Sequence, residues 1–159
     1  MSTTAYAHGE LDREIVLTRV INAPRERVFR AWSEPERMFQ WFGPEGFRCE
    51  LLQVSELKVG AVWRFTMIAP NGQRFGNRMT FLDVLPGERL VFDHGSDQDD
   101  DHHRFRVTLS FDSQSDGKTV LTLRQLHPSK AQRDNTIRFG AVELGYQTLE
   151  KLDKYLHEN

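Results

Sequence analysis

The chain has 159 residues, 38% hydrophobic and 28% charged, enough to bury roughly two-thirds of its unfolded surface and hold a full core without disulfides or structural metal. Its 21 Lys and Arg against 23 Asp and Glu argue against a dedicated nucleic-acid binder or a polybasic membrane-surface domain, and no stretch approaches the roughly 18 apolar residues of a membrane span. A lone Cys49 excludes an internal disulfide or a Cys-based zinc site, and the start of the chain has neither a basic nor an apolar signal region, so a cytoplasmic location is expected.

Residues 1–12 are small, polar and aperiodic, which predicts a flexible tail ahead of a single domain over 13–159. Glu14 to Asn22 is rich in β-branched residues and stops at Ala23-Pro24, the pattern of a strand. Pro24 suits the first turn of a short helix with Val28, Phe29 and Trp32 on one face and Arg25, Arg27 and Arg30 on the other. Ser33-Glu34-Pro35-Glu36 has the form of a capping box. It predicts Ser33 as the backbone acceptor of a second short helix carrying Met38, Phe39 and Trp41, which ends at Gly43-Pro44-Glu45-Gly46.

From Phe47 to Gln125 the period changes to two. Ala61, Trp63, Phe65 and Met67 alternate with Val62, Arg64 and Thr66, and Asn71-Gly72 signals a hairpin into Phe75, Met79 and Phe81. Pro86-Gly87 turns the chain into a strand with Leu90 and Phe92, and Asp97 to Asp101 reads as a solvated acidic loop. His103, Phe105, Val107, Leu109 and Phe111 then point one way, and Asp116-Gly117 leads into Thr119 to Arg124. After Pro128-Ser129 the apolar residues Ile137, Ala141, Leu144, Leu149, Leu152 and Leu156 step by three or four, which predicts one long helix.

These elements make an α+β domain: about six to seven antiparallel strands in a curved sheet, two short helices after the first strand, and a long C-terminal helix covering the apolar face. Strands coil away from a straight helix at one end, and only large side chains fill the gap. Trp41, Trp63, Phe65, Met67, Phe75, Met79, Phe92 and Phe105 fall in that zone. They either plug it or line an apolar pocket of roughly 300 to 1,000 Å³.

This arrangement resembles the helix-grip fold of the START, birch-pollen-allergen and polyketide-cyclase superfamily. Within it, Arg19-Val20-Ile21-Asn22-Ala23-Pro24-Arg25-Glu26-Arg27-Val28-Phe29-Arg30-Ala31-Trp32, Glu34-Pro35-Glu36 and Gln40-Trp41-Phe42-Gly43-Pro44 resemble the opening of the activator of heat-shock protein 90 ATPase homologue family. Val59-Gly60-Ala61-Val62-Trp63-Arg64-Phe65 is similar to that family's Gly-Gly-x-Trp-x-Phe strand, with Ala61 for the second Gly, and Leu85 to Phe92 and Gly145 continue the likeness. The resemblance implies a cavity for lipids, sterols, polyketides or other apolar molecules, and it names a chaperone partner only through a family whose eukaryotic member carries a further N-terminal domain.

Among polar candidates, alternation places His94 with Leu90 and Phe92, and Gln125 with Leu121 and Leu123, so these two are expected to orient a ligand. His127 lies nearby, while Arg78 and Asp83 fall on opposite faces by parity unless a bulge intervenes. His94, His102 and His103 flank the acidic run, but flexible acidic loops lack the fixed surroundings that orient metal ligands, and no metal site or cofactor is assigned. Cys49 reads as a buried, inert thiol. No GxSxG elbow, phosphate loop, GxGxxG or CxxC is present. The leading expectation is therefore binding of a small hydrophobic or amphipathic ligand, without nucleic acid or membrane insertion. A cyclase, hydratase or hydrolase using His94 is the alternative, and a chaperone-contacting interaction module is a third.

Overall fold

The computed structural model describes residues 11–159, so residues 1–10 of the expected tail lie outside the described residues. A 3-10 turn, Leu11–Arg13, leads into β1 (Glu14–Ile21), whose alternating Ile15, Leu17 and Ile21 are buried. Pro24 ends the approach and starts α1 (Arg25–Ser33), its carbonyl accepting from Val28 N at 3.1 Å. Helix α2 (Pro35–Met38) is a single turn. The expected capping box does not form: Ser33 is the last residue of α1, and Glu34 takes the N-cap position without a side-chain cap. Pro35 sits in the first turn instead and presets the helical φ, so the turn starts one residue later than the box would place it.

Strands β2 (Arg48–Gln53), β3 (Val62–Ile68), β4 (Arg74–Leu85), β5 (Arg89–Ser96), β6 (Phe105–Ser113) and β7 (Thr119–Leu126) form an antiparallel meander, and β1 pairs with β7. The resulting sheet has seven strands in the order β1-β7-β6-β5-β4-β3-β2. Its hairpins turn at the expected Asn71-Gly72, Pro86-Gly87 and Asp116-Gly117. A bulge between Phe81 and Asp83 shifts the β4–β5 register, and the polar pair of that strand separates: Asp83 binds Arg89 at 2.9 Å, whereas Arg78 binds Asp97 and Asp99. His103 does not join the inward row of β6. The strand starts at Phe105, and His103 is exposed in the preceding turn, its N–H donating to Asp101 at 2.8 Å.

The C-terminal segment is two helices, not one. Ser129 Oγ caps α3 (Lys130–Arg138) by accepting from Gln132 N at 3.1 Å, and α4 (Ala141–Glu158) follows. Gly140 between them adopts φ +92°, a left-handed conformation that ends one helix and re-aims the chain into the next. Residues of the predicted stripe before this break therefore leave the core, and Ile137 is exposed in α3. Beyond it, Leu149, Leu152 and Leu156 are buried on the sheet.

The C-terminal half of α4 is tied down. Asp153 accepts from Asn22 N at 2.9 Å and pairs with Arg19, and Arg27 donates to Leu156 O at 2.8 Å. Lys151 Nζ donates to Pro44 O and Phe47 O at 3.1 and 3.2 Å, which anchors the loop between α2 and β2 to the helix. Gly145 lets α4 approach β1 closely: a Cβ there would stand 2.4 Å from Leu17 Cδ1. Among the described residues no helix is long and apolar enough to cross a membrane.

Candidate ligand cavity

The C-terminal half of α4 packs onto the sheet, and the separation between helix and strands opens at its N-terminal half. An apolar cavity of about 170 Å³ lies there. The helix contributes Ala141, Leu144, Gly145 and Thr148, and the loop after α2 contributes Phe42, Gly43 and Pro44. The sheet supplies Leu17, Met67, Phe92, His94, Phe105, Val107, Leu123 and Gln125, with Trp32 at the back.

Of the residues expected from sequence, Met67, Phe92, His94, Phe105 and Gln125 stand in this lining. Trp41, Trp63, Phe65 and Met79 lie outside it, buried in the core, where Trp63 packs on Phe81 at 4.7 Å and Phe65 on Phe39 at 4.8 Å. Phe75, opposite Met67 on the neighbouring strand, is 41% exposed. The aromatic residues thus divide: Trp41, Trp63 and Phe65 fill the core, Phe75 is exposed, and Phe92 and Phe105 wall a space smaller than the roughly 300 to 1,000 Å³ expected. Sequence reasoning missed Leu17, Trp32, Phe42 and the helix residues. Gly145 and Gly43-Pro44 were the available signals, because small residues mark places where backbone comes close.

His94 is the most constrained polar group of the wall. Phe42, Phe65, Phe92 and Phe105 surround its ring, with centroids 6.1, 6.1, 6.4 and 5.2 Å away. Protein surrounds the ring, while the residue as a whole is half-buried and stands in the cavity lining. Burial pushes its pKa down to about 4, against a smaller opposing pull from Asp101, so the imidazole is neutral at physiological pH. Asn77 Nδ2 donates to Phe75 O at 2.9 Å, which leaves Asn77 Oδ1 facing His94 Nε2 at 2.8 Å. A carbonyl oxygen only accepts, so the imidazole proton sits on Nε2 and Nδ1 carries a lone pair.

A second chain of hydrogen bonds orients Gln125. Gln132 Nε2 donates to His103 O at 2.7 Å and to His127 Nδ1 at 3.4 Å. The His127 proton therefore sits on Nε2 and is donated to Gln125 Oε1 at 3.1 Å. Burial, and then the charge of Arg133, lower the His127 pKa and favour this neutral form. Among the described residues Trp32 Nε1, on a residue of the cavity lining, is buried without a partner.

Outside the cavity a wider groove of about 960 Å³ runs between α3 and the turn before β6, lined by His102, His103, His127, Gln132 and Arg138 among others. Phe105 belongs to both walls, its ring stacked on His127 at 5.0 Å. The acidic loop is occupied in holding itself together. Asp97 is bound by Arg64 at 2.7 Å and Arg78 at 3.0 Å, which lower its pKa, and Asp101 accepts from Ser96 N and His103 N at 2.8 Å. Among the described residues no three His, Cys, Asp or Glu side chains converge as a metal site. Cys49 is half-buried, its thiol pushed up to about 12 by burial.

A curved antiparallel sheet closed around a C-terminal helix, with an apolar cavity between them, is a helix-grip domain. Residues 22–157 match the family described as "Activator of Hsp90 ATPase homolog 1-like protein", and the chain belongs to that family. Solved structures agree on the fold. A Chromobacterium violaceum protein is 29% identical with a TM-score of 0.74, covering 89% of this chain and 95% of its own. An Arthrobacter aurescens protein is 20% identical with a TM-score of 0.84, covering 94% and 88%. A Mycobacterium smegmatis protein is 17% identical with a TM-score of 0.82, covering 95% of each chain. No curated protein matches the chain in sequence.

Proposed function

We propose that this domain binds a small hydrophobic or amphipathic molecule between the sheet and α4, without chemistry of its own. The carrying observation is the cavity: apolar walls of Leu17, Phe92, Val107, Leu123 and Leu144 around a few polar groups held in fixed orientation by Asn77 and His127. Burying apolar ligand surface there supplies the driving force, roughly 25 cal/mol per Å² removed from water. Binding is favoured over acid–base catalysis because a His94 imidazole with a pKa of about 4 is a weak proton acceptor near neutrality. The one free thiol, Cys49, suits a reducing compartment and supports a cytoplasmic location. Native mass spectrometry of gently purified protein, followed by extraction, tests the reading. A retained small apolar molecule supports it, and a library of such molecules that neither co-purifies nor perturbs tryptophan fluorescence contradicts it.

A protein partner is the second reading, favoured by Phe139, which is 77% exposed at the joint between α3 and α4. A pull-down that captures the same partner with the wild type and with Phe139→Ser would remove that support.

A further inference from the structure

Resting on the cavity reading, we propose that the ligand is an uncharged single-ring molecule bearing a hydroxyl, phenol being the simplest case, with its O–H donated to His94 Nδ1. Size comes first. An apolar cavity of roughly 150 Å³ takes benzene, and this one, partly open to solvent, measures about 170 Å³, room for a single ring and too little to enclose a sterol or a long acyl chain whole.

Charge is the next restriction. The lining contains no Lys, Arg, Asp or Glu, so an ionic headgroup inside would be buried without a counter-charge. The hydrogen-bonding pattern then sets the substituent. With Nε2 committed to Asn77, His94 Nδ1 is an acceptor with no partner among the described residues. With Oε1 committed to His127, Gln125 offers only its amide hydrogens, again without a partner among the described residues. His94 on β5 and Gln125 on β7 stand two strands apart with β6 between them, and Trp32 Nε1 is a further donor in the lining, so the wall offers a ligand donors from Gln125 and Trp32 and an unpartnered acceptor at His94 Nδ1. A hydroxyl is the smallest uncharged group that donates to His94 Nδ1 and can still accept from a neighbouring donor, and phenol keeps its proton at neutral pH because its pKa is about 10.

The experiment is a binding series at pH 7.5 with toluene, anisole, phenol and benzoate, read by tryptophan fluorescence, since Trp32 stands in the wall. The expected result is phenol binding about tenfold or more tighter than toluene or anisole, because an analogue lacking the O–H leaves a buried group unpaired. Benzoate should bind more weakly than any of them. In His94→Leu phenol should fall to the level of toluene. As that variant removes a residue from the interior, ¹⁵N NMR of the wild-type protein is the parallel readout: His94 carries its proton on Nε2, and phenol shifts the Nδ1 resonance upfield. Phenol binding no tighter than toluene, or benzoate binding as tightly as phenol, overturns the assignment and leaves the cavity reading standing. Failure of every probe to bind overturns the cavity reading, and this assignment with it.

Discussion

Acidification should destabilise the protein through His94 in a pH window that its burial defines. The imidazole has an ordinary pKa of 6.5 when unfolded and about 4 in the fold, so the unfolded chain binds the proton more readily. Because the folded value is the lower one, the associated stability is fully present above about pH 6.5 and is lost as pH falls toward 4. At 1.36 kcal/mol per pKa unit, the loss is about 2 kcal/mol by pH 5 and about 3 kcal/mol by pH 4. For a domain of this size about 2 kcal/mol corresponds to a melting temperature lower by roughly 4 to 8 °C. The assay is urea denaturation at intervals between pH 7 and pH 4, comparing wild type with His94→Gln. The glutamine amide nitrogen occupies much the same place as imidazole Nε2 and can donate to Asn77, but the side chain does not titrate. The variant should be less stable at pH 7, and its stability should fall less steeply below pH 6.5. His127, whose pKa is also lowered, contributes equally to both curves. Parallel curves for the two proteins would refute the claim that His94 is enclosed and neutral.

Three further outcomes follow from local geometry. Gly140→Ala should cost about 1 kcal/mol in denaturant melts, because the nearest atom to an added Cβ is 3.8 Å away and only the left-handed backbone resists it. Gly145→Ala should leave the melting temperature within a few degrees, since a helix-propensity gain of about 1 kcal/mol offsets the displacement of Leu17. Toluene affinity should nevertheless fall, because Leu17 must turn into the cavity it lines, and unchanged affinity would place the binding space elsewhere. Cys49, its thiol pushed up to about 12, should resist iodoacetamide at pH 8 in the native protein and react once urea unfolds it.

Much of this fold is legible in the sequence because a half-buried sheet writes its faces at period two. Leu90 and Phe92, then Val107, Leu109 and Phe111, then Leu121 and Leu123 are all inward in the structure, and the glycine-bearing turns lie where they were expected. The helix break was harder to read. Ile137, Ala141 and Leu144 keep helical spacing across Gly140, so the periodicity hides a change of direction that only the glycine after Arg138 announces. Alternation also identifies which side chains face inward but not how far along the sheet the helix lifts away. Trp63 and Phe65 share the inner face with Phe92 and His94, yet Phe39 packs on the former two while the latter border open space. That difference depends on sheet curvature and on where Lys151, Asp153 and Arg27 pin the helix, contacts that span more than 100 residues of sequence.

The most direct measurement is a crystal structure determined under xenon pressure, because xenon enters dry apolar cavities without needing a polar partner. Xenon density is expected, bounded by Phe92, Phe105, Leu123 and Leu144. Side chains packed into contact across that space, with no xenon between them, would contradict it.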